Sequence, residues 1–235
     1  MDENEVRTRV RALIASEISG CTTAFAEATN RTIRSEVVRV YRRMDEELSG
    51  SGGKVDCGPG CDYCCYYHVM VTGAEVLALA DYINALPIER RKRLTDRVNS
   101  TAMHVAPLSS AEYIRTNIQC ALLENGRCAA YEIRPSACRG FHSSNVKGCK
   151  AAFDHPTLSH PHALDPGRQV ASIGYKEVFL IAQHNAGCDA TTYEMHTSLA
   201  EALNNSSSFK RWRRGKTAFP KVRDRLTINE RIGTS

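Results

Sequence analysis

The sequence predicts a mainly α-helical protein with one small β-hairpin and a cysteine-rich core, and three observations carry that expectation. Apolar residues recur at helical spacing along most of the 235-residue chain. The alternation of strands and helices that builds a parallel sheet is not seen. A single Asn125-Gly126 pair between Ala121-Leu-Leu-Glu124 and Arg127-Cys-Ala-Ala-Tyr131 gives the strongest short-range hairpin signal.

Taken in order, the first fifty residues read as helix. Val6, Val10, Leu13, Ile14 and Ile18 fall on one face, and Ile33, Val37, Val40, Tyr41, Met44 and Leu48 on another. Ser19-Gly20 marks the candidate break between two helices, with one long helix as the alternative. The stretch 31–48 could pair with another chain or pack on the C-terminal helices. Ser49 to Gly53 then reads as a flexible linker. Thr72 and Glu75 form a capping box, with Val71 and Val76 as its staple, and open a helix through Leu77, Leu79, Tyr82, Ile83 and Leu86. Pro87 starts a basic helix expected to last to about Met103. Ser109 and Glu112 form a second box, whose helix leads toward Cys120. After the hairpin, Arg134-Pro135 enters a short helical turn carrying Cys138 and Arg139. Residues 153–168 read as irregular. Two more helices are expected at about 168–186 and 191–205, the latter opened by a Thr191 and Glu194 box. This divides the chain into a helical arm (1–50), a cysteine-cluster domain (55–150), C-terminal helices packed on the core (151–210) and a basic, disorder-prone tail (211–235).

Charge and composition exclude more than they identify. Lysine and arginine exceed aspartate and glutamate by 31 to 26, a net charge of +5 that is too mild to predict nucleic-acid binding. No run approaches the roughly 18 apolar residues of a membrane span. The start, MDENEVRTRV, is polar and acidic rather than a secretory signal. The expected location is therefore the cytoplasm, where disulfides are rare and clustered thiols bind metal or do redox chemistry.

Four of the ten cysteines lie within nine residues: Cys57, Cys61, Cys64 and Cys65. Gly58, Pro59 and Gly60 supply the tight turn that lets such thiolates converge. A second set follows at Cys120, Cys128, Cys138 and Cys149, and the hairpin should bring Cys120 and Cys128 toward each other. Soft thiolates suit zinc or iron, including iron–sulfur clusters, and exclude magnesium and calcium. Cys21 and Cys188 stand alone and read as small buried hydrophobes.

The spacing of Cys57, Cys61 and Cys64 also fits the cluster loop of radical SAM enzymes. Those enzymes place the loop after the first strand of a βα barrel, whereas here helices flank it on both sides. A fuller match spans both sets. Cys57-x3-Cys61-x2-Cys64-Cys65 followed by Val69-Met-Val-Thr72-Gly-Ala-Glu75, and then Cys120 through Cys128, Tyr131, Arg134-Pro135 and Cys138-Arg139, resembles the CxxCxxCC family of zinc- or iron-chelating proteins. Cys149 falls where a further cysteine usually stands in that family. The resemblance spans about residues 55–150; its one departure is three residues, not two, between the first cysteines. It implies metal binding by all eight cysteines and supplies no reaction. One branch resembles flagellin lysine methylases, for which SAM and an iron–sulfur cluster have been proposed, which gives an enzyme alternative. A zinc-organised interaction module, with helical arms holding a protein partner, is the third reading.

The neighbours of the cysteines carry further expectations. Arg134 and Arg139 either offset thiolate charge or form ordinary ion pairs with Glu132 or Asp62. Tyr131 reads as core packing. His68, His155, His160 and His162 are secondary ligand candidates against a default of exposed loop. The run Lys210-Arg-Trp-Arg-Arg214 reads as a solvated charge run, with phosphate or acidic-partner contact as the alternative.

Overall fold

The computed structural model describes residues 1–58, 60–158, 164–228 and 230; His160 and His162 lie outside them. The protein is mainly α, with ten α-helices and only short antiparallel strands among the described residues. In chain order these are α1 (Glu3–Glu27), α2 (Ile33–Gly50), β1 (Met70–Thr72), α3 (Gly73–Asn84), α4 (Ile88–Val105) and α5 (Ser110–Ile114). There follow β2 (Leu123–Glu124), β3 (Arg127–Cys128), α6 (Ser136–Arg139), α7 (Val146–Asp154) and α8 (Pro166–Asn185). The last are β4 (Thr191–Glu194), α9 (Met195–Asn204), α10 (Ser208–Arg213) and β5 (Arg225–Thr227).

The centre of the molecule is α3. Nine of its twelve residues are buried, on every side of the helix, which marks an element surrounded by others rather than one with a wet face. Helix α2 covers it from one direction and α9 from another, while α1 packs along α8 and α4 along α9. The capping box is present as the sequence predicts: Thr72 N donates to Glu75 Oε2 at 2.9 Å. Glu75 does more than cap. Its Oε1 accepts from Tyr41 OH on α2 at 3.1 Å and from Ser136 N at the start of α6 at 2.7 Å, so one buried carboxylate ties three segments together.

Three expectations are corrected. The break between α1 and α2 falls at residues 28–32, not at Ser19-Gly20, which stay helical. There the Thr29 amide donates to the Thr32 hydroxyl at 2.9 Å, offering the backbone a local alternative to the helix. Residues 191–194 are not a helix start but strand β4, the middle of an antiparallel sheet ordered β1-β4-β5, with Val71 opposite Tyr193 and Thr192 opposite Leu226. The helix begins after it, and Glu194 is its N-cap. The basic run near residue 212 is not simply a solvated stripe: Trp212 is fully buried, and its Nε1 donates to Gln183 Oε1 at 2.8 Å. That same oxygen accepts from Ala74 N at 3.0 Å, pinning the start of α3.

The hairpin forms as expected. Asn125 (φ 50°) and Gly126 (φ 72°) both adopt left-handed backbone, as a type I′ turn requires, between two-residue strands.

Candidate metal centre

Little regular structure holds the cysteines; turns, short helices and backbone cross-links do. Cys57 and Cys61 lie in the loop before a 3-10 turn at Tyr63–Tyr66, and Cys61 N closes the glycine turn on Gly58 O at 3.0 Å. The 3-10 turn itself carries Cys64 and Cys65. Cys120 joins this first set through the main chain, its amide donating to Cys65 O at 2.8 Å. Cys128 ends strand β3, so the hairpin turns it back toward Cys120. Cys138 rides on α6, which is drawn inward at its start by Glu75. At its end a Cβ on Gly140 would lie 2.5 Å from Ser172 Oγ, so α6 lies tight against α8. Cys149 is buried on α7, whose Phe153 ring packs against Tyr63 at 5.7 Å and Tyr66 at 4.9 Å. The loop before α7 also meets the first set: Ser143 N donates to Cys57 Sγ at 3.3 Å, and Asp56 N to Ser143 O at 2.9 Å.

Residues 56–156 match the family model CxxCxxCC, described as "Putative zinc- or iron-chelating domain". The match covers the cysteine-bearing middle of the chain, and by it these residues are similar to a zinc- or iron-chelating domain. No curated protein and no solved structure matches the chain.

Within the matched segment all eight cysteines are free thiols, and they influence one another. Burial pushes the Cys57 and Cys61 thiols up, and the charges of Cys64 and Cys149 push both further. Burial likewise raises Cys128 to about 11 and Cys138 well above its ordinary value, with Cys120 and Cys64 adding to both. The neighbours therefore sort into one group of Cys57, Cys61, Cys64 and Cys149 and another of Cys64, Cys120, Cys128 and Cys138. Cys64 is common to the two, and its hydrogen bond with Cys65 is the leading reason its own thiol is raised. Among the described residues no three Cys, His, Asp or Glu side chains already stand in position to hold a metal ion. The sulfurs are gathered but not closed.

A soft cation fits this donor set. Protonated thiols satisfy a partly buried pocket, whereas thiolates there repel one another unless a positive charge compensates. Either group of four could supply the sulfurs of a tetrahedral zinc site or hold an iron centre. Cys21 and Cys188 take no part. Cys21 is 1% exposed in the hydrophobic core, where burial raises its thiol to about 11, and Cys188 accepts from Arg213 Nη1 at 3.7 Å.

The charged neighbours differ from expectation. Arg139 pairs with neither Glu132's carboxylate nor Asp62: its Nη1 donates to Asp45 Oδ2 at 2.5 Å and its Nη2 to the Glu132 carbonyl at 2.6 Å. Arg134 lowers the Cys128 thiol against the burial that raises it, and stacks 3.9 Å over the ring of Tyr131. Tyr131 is 62% exposed, so it is a surface platform rather than core packing. His68 is not among the thiols' partners; its Nε2 lies 2.7 Å from Asp224 Oδ2, and its ring meets Tyr113 edge-on. His155 caps the end of α7.

One residue escaped the sequence reading. His196, 1% exposed at the start of α9, sits beside Cys120, its Nε2 accepting from Ala121 N at 3.3 Å. Its Nδ1 contacts Glu194 Oε1 at 3.0 Å and Tyr113 OH at 3.1 Å. Burial alone would lower its pKa, but the polar interactions and then the charges of Cys120 and Glu194 outweigh burial and raise it to about 10. A carboxylate–imidazole pair that holds the backbone next to Cys120 in this way positions a ligand from behind. The only signal in sequence was Glu194-x-His196, and Cys120 lies 76 positions earlier.

Proposed function

We infer that this is a metal-chelating protein in which Cys57, Cys61, Cys64, Cys65, Cys120, Cys128, Cys138 and Cys149 hold zinc or iron. The observation that carries the reading is the convergence of two cysteine sets, far apart in sequence, on Cys64 and on the Cys120–Cys65 backbone bond. The family description supports the metal class. Zinc is our preferred ion, because eight sulfurs, with Cys64 and its neighbour Cys65 where the two groups meet, are enough for two closed tetrahedral sites, which organise structure and leave no coordination position for catalysis. His196 and Arg134 steady the thiolates at Cys120 and Cys128. The reading places the protein in a reducing compartment such as the cytoplasm, where thiolate ligands persist.

The test is metal analysis by mass spectrometry on anaerobically purified protein. Colourless protein with stoichiometric zinc is the expected result; brown protein with broad visible absorbance and stoichiometric iron would replace zinc with an iron–sulfur centre. Protein free of both, and unable to take up either, would sink the reading. Retention should also depend on pH. Burial holds Cys57, Cys61, Cys128 and Cys138 above the ordinary thiol value, so each must lose a proton to bind. Affinity therefore falls as pH falls, which a competing chromophoric chelator would measure between neutral and mildly acidic pH.

A further inference from the structure

An open cleft of about 500 Å³ lies between α2, the turn at residues 131–134, α6 and the start of α8. Its walls bring together Arg42, Arg134, Arg139, Arg168 and His142, against the carboxylates of Asp45 and Glu132 only. Asp45 is already engaged by Arg139. The cleft therefore carries an excess of positive charge.

The decisive observation is a set of orphaned nitrogens. Arg139 is 3% exposed, and its Nε has no hydrogen-bond partner. The buried Nε of Arg168 and Nδ1 of His142 also lack one. Folded proteins pair nearly all such groups, so three unpaired nitrogens in one cleft point to an acceptor that arrives from outside. Guanidinium groups match the oxygens of phosphate in fixed geometry and remain charged at any physiological pH. The His142 ring reports the same field: burial and then the Arg168 and Arg134 charges depress its pKa.

We propose that this cleft binds a phosphate-type oxyanion, held by Arg168, His142 and Arg139 on the inside and Arg42 at the rim. The volume exceeds what a bare ion fills and lies in the range of small-molecule sites. The exposed Tyr131 ring, stacked beneath Arg134, offers a flat surface to an organic group attached to the phosphate. The site uses no cysteine, so it stands or falls separately from the metal reading.

The experiment is calorimetric titration of the full chain with inorganic phosphate and, separately, phenyl phosphate, at constant ionic strength with chloride as the control. Saturable binding of phosphate over chloride is expected, weakened about tenfold in Arg168→Gln and in the exposed-rim variant Arg42→Gln. Tighter binding of phenyl phosphate would assign an organic phosphate, and equal binding the free ion. Arg42→Gln changes a surface side chain and keeps the test valid if Arg168→Gln folds poorly. The proposal is overturned if neither probe saturates, or if both bind Arg42→Gln as they bind the parent protein.

Discussion

The helical body and the cysteine segments of the same molecule are held together in opposite ways. In the body, α1, α2, α3 and α8 run 12 to 25 residues and bury continuous apolar faces, including Phe25, Val37, Leu79 and Phe179 at 0% exposure. The cysteine segments have strands of two residues, helices of four and nine, and thiols that are mostly half-buried. Hydrophobic burial stabilises the first region outright. Turns and single backbone bonds order the second, and elements so short do not persist by themselves. The family boundary cuts across this difference. Residues 56–156 include α3 and α4, which belong physically to the body.

Metal removal should break the comparison most visibly. Chelation is expected to release the segments around residues 54–69 and 118–154 while α3, α4, α8 and α9 stay protected. Hydrogen exchange with and without chelator reads this directly, and uniform protection in both states would remove the metal from any role in folding. The next largest effect belongs to the residue that spans the two regions. Glu75→Ala leaves Ser136 N, Thr72 N and Tyr41 OH without their acceptor, a loss of about 3 kcal/mol. For a chain of this size that lowers the melting temperature by roughly 10 °C, measurable by calorimetry. An unchanged midpoint would show that α6 does not hang from Glu75. The smallest effect sharpens the contrast between thiols. Cys21→Ala should lose about 1 kcal/mol of core packing with no change in bound metal. Cys64→Ala should lose metal from both groups of four. Equal metal content in the two variants would contradict the assignment of ligands.

What could be read from sequence was whatever a few neighbouring residues decide. The Thr72 and Glu75 box, the Ser109 and Glu112 box and the Asn125-Gly126 turn each satisfy their own backbone within four residues, and each is present. The cysteine sets were legible because thiol spacing is itself a chemical statement. The misreadings all concern partners distant in sequence. Thr191 to Glu194 carries the letters of a helix cap, but pairing with β1 and β5, more than a hundred positions behind and thirty ahead, makes it a strand. Trp212 sits among four basic residues, and only the distant Gln183 and Phe25 reveal that it is interior. His196 was invisible for the same reason. The Glu75 bond to Ser136 could not be foreseen from a capping pattern that accounts for the carboxylate locally.

The seat of Trp212 also orders events in time. As the chain leaves the ribosome, residues 56–156 emerge before anything that covers α3 on its far sides. The amide of Ala74 finds its acceptor only when Gln183 appears, and that acceptor is sealed only by Trp212. Strand β1 waits as long for β4. The cysteine-bearing domain is thus finished as sequence more than fifty residues before it can be finished as structure. Until then its most apolar helix is covered only from the side of α2, and the thiols meet the surrounding solution on a scaffold still incomplete.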